Sequence, residues 1–383
     1  MKKNYALAVI AFVSIIFLIF ACSDSEDETT YIPVEPVSPV TVDLTQVPYP
    51  KLSDYKFFEG DMKDQVPALD VLPYEPSSAL FTDYAHKKRF IWMPKNTKAT
   101  YNGDEKALEL PVGAALIKTF YYDNVQNIPV PGQTRIIETR IIIRKAEGYI
   151  FADYVWNEDQ TEAYYDMAGS GTTVTWLDDD NVSQTAQYRI PNESQCIVCH
   201  KIWTPGESGE ITTNIPIGIK PQNLNFNYNY GSEVKNQLTK WIEYGYLEDN
   251  FSLPSAENTV VNYNDTSQPI ALRARAYFDS NCSHCHEANR HCDYRPMRFA
   301  YGSTAGNGGE ANMGVCVNTQ DMQGFPPELG TIVTPRHIEE SMLYFRLNTT
   351  DETYRMPLHG RTMIHQEGIA LVEEWINSLE HCD

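Results

Sequence analysis

The sequence predicts an α+β, multidomain protein in which a β-rich, sandwich-like N-terminal domain is followed by an all-α domain. Three observations carry that prediction. Between residues 49 and 190, stretches rich in Ile, Val, Thr, Tyr and Trp alternate with turn signals such as Glu147-Gly148 and Gly169-Ser170-Gly171. Near the C-terminus, residues 271–281 and 365–379 instead repeat apolar side chains at helical spacing. A polar stretch holding Pro254 and Pro269, residues 251–270, separates the two patterns and reads as a linker.

Before the β-rich domain, Lys2 and Lys3 precede an apolar run that ends Ile19-Phe20-Ala21-Cys22. A charged start and a short apolar core make residues 1–21 a signal peptide. The small residue before Cys22 resembles the bacterial lipobox, which implies that Cys22 is lipidated and anchors the mature chain to a membrane. Residues 22–48 are acidic and then proline-containing, and read as a flexible tether. The acidic run after Cys22 resembles the surface-export tether of Bacteroidetes-type lipoproteins, which places the chain at a bacterial outer membrane or cell surface.

Within 49–190 the expected strands are 115–122, 135–144, 149–156, 162–166, 173–177 and 184–189. Short strands at this spacing suit a sandwich or an antiparallel sheet packed on itself. Residues 191–250 follow as an attachment segment with an amphipathic helix at 233–244, whose Val234, Leu238, Trp241 and Ile242 share a face. The last domain spans 271–383. In its final helix Ile369, Leu371, Val372, Trp375, Ile376 and Leu379 form the apolar stripe.

Charge excludes one class of partner. The 383 residues hold 51 acidic and 30 basic side chains, a formal net charge of -21. Nucleic acid is not expected, because phosphate binding needs clustered Lys and Arg. An acidic surface would instead steer a partner protein with a basic docking face.

The chemistry lies in the cysteines. Of eight, four fall in Cys196-Ile197-Val198-Cys199-His200 and Cys282-Ser283-His284-Cys285-His286. In Cys-x-x-Cys-His, two thiols can form thioethers to the vinyl groups of a haem while the adjacent histidine ligates its iron. Cys196, Cys199, Cys282 and Cys285 are therefore the expected attachment residues of two c-type haems, with His200 and His286 as proximal iron ligands. A thioredoxin-like pair does not explain the histidine twice, and a structural zinc site does not explain two dissimilar contexts. Cys292, Cys316 and Cys382 are left over. Three pairings are open, and Cys316 with Cys382 is slightly favoured because it would tie the loop to the final helix.

The order helix, Cys282–His286, long loop, Arg355-Met356-Pro357, final helix resembles class I cytochrome c. The resemblance implies a cytochrome c domain in which Met356 is the distal ligand opposite His286; Met363 is its main competitor, and Met342 reads as core. The first motif lacks such a partner, since no histidine or methionine occurs between His200 and Asn281. Strands leading into a Cys-x-x-Cys-His resemble the cytochrome P460 type. Its sixth ligand could come from His86, Met93, Met167, His337, His359 or His365, or the iron could be five-coordinate.

Further stretches include Phe81-Thr82-Asp83-Tyr84-Ala85, Pro111-Val112-Gly113, Ile137-Glu138-Thr139-Arg140, Tyr154-Val155-Trp156-Asn157, Pro216-Ile217-Gly218 and Gly314-Val315-Cys316. With them, most of 75–380 resembles an uncharacterised family of exported dihaem c-type cytochromes. The resemblance implies haem binding and electron transfer with no known substrate, which together with the lipobox-like Cys22 makes the expected protein a lipid-anchored electron carrier. The alternative is a dihaem peroxidase or small-substrate oxidoreductase with an open first haem. Glu138 and Arg140 read as a structural charge pair. No phosphate-binding loop, zinc-protease helix or Gly-x-Ser-x-Gly elbow is present.

Overall fold

Alternation of side chains through the β-rich half produces strands close to the expected positions. The computed structural model describes residues 36–206 and 209–382. The expected signal peptide, residues 1–21, and Cys22, the expected lipidation site, lie outside the described residues. A small ribbon pairs β1 (Phe58–Glu59) with β2 (Val66–Pro67). The main strands are β3 (Leu72–Pro73), β4 (His86–Trp92), β5 (Ala115–Val125), β6 (Gln133–Lys145), β7 (Gly148–Trp156), β8 (Ala163–Tyr165), β9 (Ser170–Leu177) and β10 (Ser183–Ile190).

These eight form one antiparallel sheet rather than the two of a sandwich. Along one edge β5 pairs with β6, which continues to β7 and β8. Its other edge pairs with β4 over residues 115–121 and with β9 at Val125, and β10 closes that side. Both faces are covered. On one, Ala115, Ile117, Ile141, Ile143 and Tyr154 pack under residues 47–71. On the other, Ile91, Leu116 and Tyr149 pack under Leu238 and Trp241. Farther along that second face, Phe120, Val174 and Tyr188 form another apolar cluster. Between these two clusters lies a band of charged side chains, which lines the site described below.

β10 runs into α1 (Glu193–His200), a helix started by a capping box. Asn192 Oδ1 accepts from the Gln195 amide at 3.0 Å, and Gln195 Oε1 accepts from the Asn192 amide at 3.1 Å. A hairpin follows, β11 (Lys201–Gly206) and β12 (Gly209–Asn214), then α2 (Pro221–Leu224), β13 (Asn227–Asn229), β14 (Val234–Asn236) and α3 (Gln237–Glu243). The expected helix at 233–244 is thus shortened. Asn236 caps it, accepting from the amides of Leu238 and Thr239, so the three preceding residues are free to pair as a strand.

The all-α cytochrome c domain expected at the C-terminus is not what forms. The protein is 19% helix and 27% strand, and its sheets are mostly antiparallel. After α4 (Ile270–Asn281), helix is confined to α5 (Gly309–Asn312), α6 (Met342–Leu347), α7 (Gln366–Ser378) and one short 3-10 turn. The rest is loop, with isolated bridges such as Val315 to Val333 and Thr331 to Ser341. Residues 287–341 carry no long helical periodicity, and turn bonds such as Thr304 N–H to the Ala300 carbonyl, with help from side chains, satisfy the backbone. Arg298 donates to the carbonyls of Asp293, Arg295 and Met297. α4 and α7 still pack together around Phe278 and Trp375, whose rings lie 5.2 Å apart.

Two stretches read as connectors are also packed. From residue 38, the expected tether lies on the sheet, with Val40, Val42 and Leu44 half-buried and Val47 buried. In the expected linker, Val260 and Tyr263 are buried against α4. Ser38 to Asp383 forms one unit by contact. A single disulfide is present among the described residues, between Cys316 and Cys382, leaving Cys292 as a buried thiol.

Candidate functional site

The two Cys-x-x-Cys-His segments, far apart in sequence, meet. The ligand atoms of Cys199, His284 and Cys285 all lie within 4.8 Å of one another, and the Cys285 thiol points at the Val198 carbonyl at 3.9 Å. The first segment is helix α1, brought here by β10. The second is the turn at the end of α4, where the amides of Cys282 and His286 donate to the carbonyls of Phe278 and Cys282.

Each segment opens on its own cavity. Cys196, Cys199 and His200 line a cavity of about 240 Å³ between the charged band of the sheet and the C-terminal loops. Cys282, Cys285 and His286 line a second cavity of about 370 Å³. The two share Cys199, Asn281, His284, Leu347, Pro357 and His359 in their walls.

His200 is oriented by the hairpin that follows it. β11 and β12 return the chain so that Ile215 lies against the histidine: its amide donates to the His200 carbonyl at 2.7 Å, and its carbonyl accepts from His200 Nδ1 at 2.9 Å. With Nδ1 protonated, Nε2 presents a lone pair. Burial is the largest influence on this imidazole and brings its pKa down to about 4. His286 is likewise buried, with its pKa lowered to about 4 by burial and then by His284. Its ring meets Phe299 edge-on at 5.6 Å, and its Nδ1 has no hydrogen-bond partner among the described residues. Both imidazoles are therefore neutral at pH 7, the state metal ligation needs. Burial also pushes the Cys196 and Cys282 thiols up to about 11 and about 12.

Met356 lines the second cavity with His286. Its loop is pinned by Arg361, a buried guanidinium that donates to the carbonyls of Met356, Met363, Arg346, Leu347 and Thr349. The Asp83 carboxylate holds the next turn by accepting from the Thr362 and Met363 amides at 2.7 and 2.8 Å. Met363 packs against the sheet cluster of Phe120 and Tyr122 and does not line this cavity, whereas Met342 and Met297 do. Nothing in the sequence marks Arg361 for this role, since its partners are backbone carbonyls, and Asp83 lies in the stretch 81–85 with no motif to single it out.

The six sixth-ligand candidates separate by position. His86 and His337 are exposed and lie against Asp123 and Glu339, and Met93 is in the apolar core. Met167, His359 and His365 line the first cavity. His365 is stacked on Phe81 at 4.2 Å, with Nδ1 3.4 Å from the Tyr277 hydroxyl and Nε2 3.6 Å from Glu367.

Glu138 and Arg140 do form a pair, with contacts of 2.5 and 2.9 Å, and Tyr188 donates to Glu138 at 2.5 Å. Burial raises the Glu138 pKa, but Arg140 and the hydrogen bonds outweigh it and leave the carboxyl below its ordinary value. The carboxylate of Asp153, also buried, accepts no hydrogen bond among the described residues. Burial and then the Glu138 charge hold its carboxyl well above the ordinary range. Lys118, on the same face, is held well below its ordinary value by burial and by Arg89, Arg140 and Lys87.

Each cavity has the two cysteine thiols of its segment and a neutral imidazole in its lining, a donor set that would suit a covalent haem, and Met356 adds a thioether to the lining of the second. The donor set of Cys199, His284 and Cys285 also suits a single soft metal ion. Compared with models of protein families, with curated proteins and with solved structures, the chain matches none.

Proposed function

We propose that this chain is an exported, lipid-anchored dihaem c-type cytochrome that carries electrons through two covalently bound haems. The observation that supports it most is the meeting of the two attachment segments, with Cys199 and Cys285 sulfurs within 4.8 Å. When bound, each haem supplies a one-electron iron couple. Cys196 and Cys199 would hold the first, with His200 on its iron; Cys282 and Cys285 would hold the second, between His286 and Met356.

The chain's own part is positioning. Ile215 fixes the His200 tautomer, Arg361 and Asp83 fix the loop that carries Met356, and the capping box of α1 fixes the first pair of thiols. A thioether opposite an imidazole raises a haem's potential, so the second haem would be the more oxidising. The acidic surface would meet a basic face of a redox partner protein, and Cys22 would hold the molecule at a bacterial outer membrane or cell surface.

One observation favours a second reading, a zinc-like site at Cys199, His284 and Cys285. Two variants separate them, because Cys282 belongs only to the haem set and His284 only to the metal set. The full chain is produced in a host that attaches c-type haem, and is then denatured, stained for haem, weighed and assayed for metal. The haem reading expects two covalent haems in wild type and H284A, partial or lost attachment in C282S, and cofractionation with membranes. Absence of covalent haem from wild type, with one equivalent of zinc lost in H284A and kept in C282S, overturns it.

A further inference from the structure

A row of charge on the second face of the sheet is left unused by electron transfer. Arg89, Lys118, Arg140 and Asp153 stand on four adjacent strands in direct register: Arg89 opposite Lys118, Lys118 opposite Arg140, and Arg140 opposite Asp153. All four line the first cavity. Side chains so opposed sit roughly 5 Å apart at Cβ, and like charges there destabilise a sheet. Three cations in one row, Arg89 buried and Lys118 and Arg140 half-buried, therefore favour negative charge beside them.

Arg140 has it. Its guanidinium grips Glu138, and Asp153 lies 3.8 Å away. Around the rest of the cavity, Lys220 is paired with Asp279 at 2.7 Å, Arg189 and Arg355 share Glu352, and Arg361 is consumed by backbone carbonyls. Arg89 and Lys118 are different. Among the described residues neither side chain makes a hydrogen bond, and neither has a carboxylate within 4.0 Å. Arg89 is only 8% exposed. The Lys118 ammonium rests over the Phe120 ring, 4.7 Å from its centroid, which supplies attraction but no counter-charge. A covered cation without a partner is costly, and an anion that enters the cavity removes that cost.

We propose that Arg89 and Lys118 form a receptor for a carboxylate-type anion in the first cavity, beside Cys196, Cys199 and His200. Arg89 offers a planar fork for two oxygens and Lys118 a point charge one strand away. The carboxylate has two sources: a free monoanion from solution, or the propionates of a haem held at Cys196 and Cys199. Only the second source rests on the dihaem reading.

The test uses the full chain as wild type, K118M, K118R and R89Q, with haem content measured on every sample. Sodium acetate and sodium nitrite are titrated by calorimetry and by thermal shift, and resonance Raman spectra record the propionate bending modes. A free-anion site gives saturable binding and an anion-dependent rise in Tm in wild type and K118R, weakened at least tenfold in K118M and R89Q. A propionate site gives no such binding, but moves a propionate mode in K118M and R89Q and leaves it in place in K118R. In anion-free buffer K118M should melt no lower than wild type, since it removes an unmatched cation, so its loss of response is not a loss of fold. If wild type binds neither probe and no propionate mode responds to either variant, the inference is overturned. Should the protein carry no haem, the function proposed above fails while the calorimetry still decides the receptor.

Discussion

Cys382→Ser isolates the contribution of the one disulfide. Cys382 and Cys316 are both exposed, so the substitution removes a cross-link and almost no packing. The bridge joins positions separated by 66 residues. Closing a loop of that length in the unfolded chain removes conformational entropy equivalent to about 4 kcal/mol, an upper figure that unfolded-state structure reduces toward about 2. For a chain of this size each kcal/mol moves Tm by roughly 2 °C, so C382S should melt about 4–8 °C below wild type. The assay is thermal unfolding followed by circular dichroism, with and without dithiothreitol. Reductant should bring wild type down to the variant and leave the variant unmoved. A variant melting within about 1 °C of wild type, or falling further in reductant, would refute the reasoning. The consequence for the site is local, because Thr319, Gln320 and Asp321, just beyond Cys316, line the second cavity.

Glu138→Gln should cost about 2 kcal/mol at pH 7, by removing the buried carboxylate that half-buried Arg140 grips and leaving only Asp153, 3.8 Å away, as its counter-ion. Because the Glu138 pKa is depressed in the folded state, its contribution is present above the unfolded pKa and is lost as pH falls through the folded one. The gap between E138Q and wild type should therefore narrow below about pH 4, as urea midpoints would report. Asp153 has the opposite sign. Its folded pKa is raised, so it destabilises progressively as pH climbs above about 4, and D153N should gain on wild type between pH 4 and 7. A D153N stability offset that stays flat with pH would contradict this. Met356→Ala, in protein carrying both haems, should abolish the thioether-to-iron charge-transfer band and lower one of the two reduction potentials. A band that survives would remove Met356 from the iron.

Much of the secondary structure was legible because each segment is covered on a regular period. Strands at 135–144 and 149–156, and helices at 271–281 and 365–379, differ from those observed by no more than two residues at either end. Pairing was not legible, since which strand lies beside which is set by contacts distant in sequence. The strand His86–Trp92 escaped notice for a specific reason. His86-Lys87-Lys88-Arg89 looks like a solvated surface, yet Arg89 faces a cavity and the strand pairs along β5. A signal for that cavity did exist. Lys118 lies in phase between Leu116 and Phe120, and Arg140 between Glu138 and Ile142, so each puts a charge on an otherwise covered face. The two Cys-x-x-Cys-His segments are legible from residue type and spacing alone. Their meeting was not, and neither was the role of Arg361, whose bonds go to carbonyls that any sequence could supply.

The contacts between the β-rich half and the C-terminal half bear on how the site is held. Residues 77–84 run from the β half into the C-terminal half. There the Phe81 amide donates to Asn281, Ser78 accepts from the Tyr263 amide, Tyr84 donates to Glu367, and Asp83 caps the turn at 362. From the other direction Lys220 and Asn223 reach Asp279, a carboxylate just four residues from Ser283 in the second attachment segment. Asp279 is 3% exposed, and without Lys220 it would be a buried charge on its own, so the halves cannot part cheaply. A linker between two independent domains would leave the distance between the attachment segments to thermal motion. Here a buried ion pair and a strap of hydrogen bonds fix it. If the chain holds two redox centres, as proposed, a fixed separation would serve exchange between them, and the packing of Val260 and Tyr263 onto α4 helps to fix it.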